Sequence, residues 1–200
     1  MTKKLLITFF IIALFASCGT RSGNATISDC IDGVVINGVR WATRNVDMPG
    51  TFAETPESFG MLFQWNRKKA WSATDERAVG WNDTPDLGTT WYAENDPCPV
   101  GWRVPTEQEL RSLDEVNSVW TRQNRVRGRL FGTAPNQIFL PAVGANNRYG
   151  EFQLSGVWGF YWSSTLYSAT TSWSLLSGDN TNLMHFFHAH GLSVRCVAIN

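Results

Sequence analysis

Arg125, Arg127 and Arg129 alternate along the chain, so an extended segment carries three guanidinium groups on one face. Planar forks that never lose their charge suit carboxylates and phosphates, although a solvated strand face is the commoner origin of such alternation. The pattern marks a candidate patch for an anionic partner. Trp158, Tyr161, Trp162 and Trp173 offer flat rings that combine large contact area with little entropy loss, the property a sugar or peptide site needs. Glycine-flanked aromatics in small irregular domains are usually core. Trp158, just before Gly159, is the better surface candidate.

Other constellations carry less. His185, His188 and His190 are the three histidines of the chain, and in a strand His188 and His190 would share one face, a spacing at which imidazoles can chelate a metal. No Cys, Asp or Glu nearby completes a ligand set, and Phe186 and Phe187 suggest a strand with one buried face. Packing is the expectation, and no metal or cofactor is assigned. Trp81-Asn82-Asp83 resembles the short calcium-and-sugar motif of C-type lectins, where side-chain oxygens suit a hard cation. It precedes the expected helix, whereas the lectin motif comes late, so a polar turn after a buried tryptophan is expected. Ser163 and Ser164 lack a nucleophile-elbow context, and Glu94 and Asp96 read as a solvated acidic turn. No phosphate-binding glycine loop or zinc-type cysteine pair exists. No catalytic residue is assigned, and a binding protein is expected rather than an enzyme.

The elements that must position these groups are short. Ten tryptophans, 17 glycines and eight prolines divide the chain into small pieces. One stretch reads clearly as a helix: Thr106 lies three residues before Glu109, a capping box, after a Pro105 that stops backward extension. Leu110, Leu113, Asn117 and Trp120 follow at helical spacing, predicting a helix from Glu107 to about Val116. Strands are expected at 34–41, 137–140, 159–163, 171–176, 184–189 and 192–198, with turns at Asn37-Gly38, 177–180 and His190-Gly191. These elements imply an α+β domain with much irregular structure.

The first 17 residues have the form of a secretory signal: Lys3 and Lys4, an apolar run from Leu5 to Phe15, then Ala16-Ser17 before Cys18. The apolar run is about 11 residues, whereas a spanning helix needs roughly 20. Small residues ending on cysteine resemble the bacterial lipoprotein box, which makes Cys18 the expected lipid anchor to a membrane, with Phe15 departing from the usual Leu. Residues 18–29 read as a flexible tether, of roughly 18 Å root-mean-square reach. Residues 30–200 form the expected domain. Losing Lys3 and Lys4 leaves 15 basic against 17 acidic residues, a formal charge of −2 that argues against a nucleic-acid surface.

Five ordered motifs then place the domain: 37–46 (Asn-Gly-Val-Arg-Trp-Ala-Thr-Arg-Asn-Val), 60–66, 98–110, 138–144 together with 159–165, and 193–197. In this order they resemble the Fibrobacter succinogenes major paralogous domain, over about residues 30 to 199. Such domains are typical of Bacteroidetes lipoproteins. Segments 103–109 and 193–196 are similar, more distantly, to the formylglycine-generating enzyme group. That likeness implies a C-type-lectin-like fold, with terminal strands close together, one or two helices and a small twisted antiparallel sheet under long irregular loops. Cys98 and Cys196 each fall in one of the resembling motifs, and the resemblance pairs them as a disulfide, leaving Cys30 over. Trp162, inside a family motif, reads as core, and Trp102 and Arg195 as packing or buried-polar positions. Between Cys98 and Cys196 the chain has no cysteine, which removes the oxidase chemistry of that group. The function implied is a non-catalytic recognition domain in the cell envelope, on the outer membrane, binding a glycan or an envelope protein. A structural subunit of a surface appendage or envelope complex, with Cys30 available for an intermolecular disulfide, is the alternative. A glycan-acting enzyme comes third.

Overall fold

Asn37 and Gly38 both adopt positive φ, 49° and 79°, the two-residue turn that matches the twist of antiparallel strands. The segment expected as one strand therefore folds back on itself, as β1 (Val34–Ile36) and β2 (Val39–Trp41). The computed structural model describes residues 33–199. The signal segment, Cys18, the tether and Cys30 lie outside the described residues.

After β2 come β3 (Met61–Gln64), β4 (Ala70–Ser72), a 3-10 turn at Ala93–Asn95, β5 (Trp102–Arg103) and the helix α1 (Glu107–Asp114). The meander β6 (Ser118–Gln123), β7 (Val126–Thr133) and β8 (Asn136–Pro141) follows, then β9 (Ala145–Asn146) and β10 (Phe152–Gln153). A second meander of β11 (Gly159–Ser168), β12 (Thr171–Ser177) and β13 (Thr181–Phe187) leads to β14 (Gly191–Leu192) and β15 (Val197–Ala198). The four sheets have the orders β1-β2-β15-β5, β10-β9-β14-β3-β4, β11-β12-β13 and β6-β7-β8.

β15 joins the two ends of the domain to its middle, because Val197 pairs with Trp41 on one side and Arg103 on the other. Beside this junction a disulfide links Cys98 to Cys196, with Cα atoms 6.1 Å apart across 98 residues of sequence. A loop of that length stabilises by about 4–5 kcal/mol in the chain-entropy account.

The core has three parts. Phe63, Trp65, Trp102, Trp162 and Leu192 fill the largest. Trp41, Leu110, Leu113, Phe131, Leu140 and Tyr161 pack under α1, and Leu62, Trp71, Ala73 and Val143 form the third, with Trp81 and Phe59 against it. Trp162 is core, and its indole N–H donates to the Phe63 carbonyl at 2.7 Å.

The α+β, C-type-lectin-like architecture expected from the sequence does not hold. Of the described residues 44% are strand and 7% helical, with one α-helix, so the fold is β-rich. α1 starts where expected, with Thr106 and Glu109 forming both halves of the capping box, but it ends at Asp114. Asn117 and Trp120, read at helical spacing, instead leave the helix: the Asn117 carbonyl accepts from Gly132 N–H, and Trp120 pairs with Arg129 in β6–β7. Val119 and Thr121 are β-branched and favour this extended state. No helix among the described residues is long and apolar enough to cross a membrane.

Candidate functional site

The β6–β7 hairpin turns at Asn124 and Arg125, both in the left-handed region (φ 47° and 71°). The register this sets puts Arg122 directly opposite Arg127. Like charges at directly opposed positions repel, and Arg125 on the turn adds a third. All three side chains are exposed. They line a cavity of about 360 Å³ with Phe59, Val126 and Val157 as its apolar wall and the backbone of Gly156 at its edge. Arg127 Nη1 makes a long bond to the Gly156 carbonyl, 3.4 Å, and among the described residues none of the three arginines has an ion pair. An acidic side chain meets the turn itself, where Asn124 Nδ2 donates to Glu57 Oε1 at 3.1 Å. This arrangement can hold an anionic group carrying some apolar surface.

Arg129 does not belong to that patch. It is buried, 8% exposed, and its guanidinium donates to the Gly178 carbonyl (3.1 and 2.8 Å), the Asp179 carbonyl (2.6 Å) and Ser118 Oγ (3.0 Å). It fastens the β12–β13 turn to the other meander. The expectation of three guanidiniums on one open face fails because that face runs inward: Arg127 is at the hairpin tip, Arg129 is opposite Trp120 and Leu140, and Phe131 is core. Trp158 is not a free surface ring either. It is half-buried against the main core, and its indole lies so close over Gly178 that a Cβ there would meet it at 2.2 Å. Arg125 and Arg127 are brought together, Arg129 and Trp158 are taken into structural roles, and Arg122 was missed. Its signal was the Asn124-Arg125 turn, which sets Arg122 and Arg127 facing.

The clasp region uses charge differently. Arg103 makes a bidentate pair with Glu109 (2.8 and 2.7 Å), whose Oε2 also accepts from the Thr106 N–H at 2.7 Å. Burial pushes the Glu109 carboxyl up, but the bonds from Arg103 and Thr106 outweigh it and hold the pKa below the usual value. Asp96 accepts from Cys98 N–H and Val104 N–H, and burial raises its pKa against those bonds. It is a loop clamp, and the neighbouring Glu94 is exposed in the 3-10 turn. Arg195 is 1% exposed, its guanidinium bonded to Asn45 Oδ1 (3.0 and 2.7 Å) and to the carbonyls of Ala42 (3.2 Å) and Phe139 (3.1 Å).

No family model, curated protein or solved structure matches this chain. Its chemistry is therefore read from the site itself.

The histidines do not converge, and among the described residues no cluster of three or more metal-capable side chains exists. His185 stacks on Tyr167 at 3.9 Å, and His190 Nδ1 lies 3.1 Å from the Phe187 carbonyl. His188 is buried and stacked on Trp65 at 4.2 Å. Its Nδ1 donates to the Asp86 carbonyl (2.5 Å), so in the neutral ring Nε2 accepts from Ser172 Oγ (2.9 Å). That is the order of a nucleophile and its base, which sequence reading did not anticipate. Both side chains are fully enclosed, so the pair acts as a tie. Burial pushes the His188 pKa down, against the Asp86 carbonyl. Ser163 and Ser164 bond at a strand junction, Ser163 Oγ accepting from Thr165 N–H and Ser164 Oγ donating to the Pro105 carbonyl. Asn82 makes a polar turn, its Oδ1 accepting from Thr84 N–H.

Proposed function

We propose that this chain is a lipid-anchored cell-envelope recognition protein of the Fibrobacter succinogenes major paralogous kind, holding an anionic group of a glycan or envelope protein between Arg122, Arg125 and Arg127. The observation that carries the reading is the convergence of three exposed guanidiniums, two of them directly opposed, around one cavity. Their mutual repulsion is relieved when a carboxylate or phosphate enters, and each charge-assisted bond formed contributes about 1.5–3 kcal/mol. The Lys3-Lys4 start, the apolar run and Ala16-Ser17 before Cys18 support the anchor, which by this reading lies in the outer membrane. The proposed role is recognition rather than catalysis, a reading supported by the enclosure of the Ser172–His188 pair found among the described residues.

Titration calorimetry of the purified full-length protein with an oligogalacturonide and with an aspartate-rich peptide tests it and separates a glycan from a protein source. One of the two binds, and its affinity falls steeply with added salt. Binding of neither contradicts the reading. For the anchor, Cys18→Ser moves the protein from the membrane to the soluble fraction; unchanged partitioning contradicts it.

A further inference from the structure

A second cavity, of about 340 Å³, lies around Trp81. Its frame is backbone: Ala78 N–H donates to the Gly150 carbonyl and Phe152 N–H to the Glu76 carbonyl, each at 2.9 Å, while Arg77 bridges to Glu151. Trp81 lies directly on this frame. A Cβ on Gly150 or on Gly191 would come within 2.7 Å of the indole, so both positions must be glycine for the ring to sit there. The indole N–H is tied to the Arg148 carbonyl at 3.0 Å, and Trp71 packs at 4.9 Å. The ring is thus held in place before any ligand arrives. Tyr149, 51% exposed, stands beside the cavity with the Arg148 guanidinium 4.9 Å over its ring.

Two polar groups complete the lining. The Asp83 carboxylate is exposed and has no hydrogen-bond partner among the described residues. Arg77 has only a long contact with Glu151, 3.7 Å, between two well-exposed side chains.

The geometry points to a sugar-binding subsite, in which a neutral pyranose lays its C–H face against Trp81 and Tyr149 and hydrogen-bonds its hydroxyls to Asp83 and Arg77. The immobilised face of Trp81 supplies contact area at little entropy cost, and the exposed ring of Tyr149 adds to it. An acceptor carboxylate and a donor guanidinium on one rim match vicinal hydroxyls, which both donate and accept. The volume is within the range of small-ligand pockets. The one carboxylate of the lining, Asp83, is offset by the one guanidinium, Arg77, so the cavity has no net charge and differs from the arginine cleft, where three cations converge. The inference stands on residues that the proposed function does not use.

Saturation-transfer NMR on the purified full-length protein, with methyl mannoside, lactose, maltose and diacetylchitobiose as probes, tests it. At least one probe receives saturation at its ring C–H protons. Tyr149→Ala and Asp83→Ala, both exposed positions, each weaken that probe at least tenfold with the melting temperature unchanged, and the Arg122→Ala/Arg127→Ala double variant leaves it unaltered. The inference is overturned if no probe shows transfer to the wild-type protein, if either single variant keeps wild-type affinity, or if the arginine variant abolishes the signal.

Discussion

Arg195 and Arg129 on one hand, and Arg122 and Arg127 on the other, are the same side chain in opposite circumstances. The buried pair is surrounded by fixed acceptors: Asn45 Oδ1 and two carbonyls for Arg195, and the Gly178 and Asp179 carbonyls with Ser118 Oγ for Arg129. Taking a guanidinium out of water is costly unless nearly every N–H finds a partner, and in these two places the fold provides them. At the hairpin tip it provides almost none, since Arg127 has one long bond and Arg122 faces another cation. Arg127 and Arg129, two residues apart on one strand, therefore do different work according to depth. What remains for a ligand is the bonding capacity that the fold leaves unused.

The comparison breaks most easily at its buried end. Arg195→Ala strands Asn45 Oδ1 and the Ala42 and Phe139 carbonyls in the core, and is expected to cost about 4 kcal/mol in denaturant unfolding. Arg129→Ala, which frees the nearer-surface β12–β13 turn, is expected to cost about 2 kcal/mol. Losses below about 0.5 kcal/mol for both would show that burial and bonding do not distinguish the two groups.

A smaller effect comes from adding charge to the interior. His188 and His190 both have pKa values lowered chiefly by burial, so the unfolded chain binds their protons first as pH falls. Stability is therefore full above about pH 6.5 and is lost as pH drops through the depressed folded values. Glu109, also depressed, adds a further loss only below the unfolded carboxylate value, about pH 4.3. Melting temperature should fall between neutral pH and pH 5, with a shallower slope in His188→Gln. An equal slope in that variant would place the sensitivity elsewhere.

Local signals in the sequence were legible where one or two residues decide the backbone. Thr106 and Glu109 mark the start of α1, and Asn37-Gly38 marks a turn that the structure completes as a hairpin in place of one strand. The end of α1 was misread because Asn117 and Trp120 satisfy helical spacing equally well, and the choice was made by Gly132 and Arg129, more than eight residues on. β3, β9 and β14 are two to four residues long and carry no periodicity of their own. Gly191 pairs with Gln64 and Asn146, and such contacts are set by tertiary packing. The same limit applied to the site. Alternation placed Arg127 and Arg129 on one side of β7, but not Arg125 in the turn, nor the descent of that side from solvent at Arg127 into core at Phe131.

The smallest change in stability belongs with the largest change in binding. Arg122→Ala/Arg127→Ala removes two exposed, mutually repelling cations and should alter unfolding free energy by no more than about 0.5 kcal/mol. Calorimetric titration of this double variant with whichever anionic probe the wild-type protein binds is the most direct test. The account predicts at least tenfold weaker affinity with unchanged stability. Wild-type affinity in the double variant would contradict it.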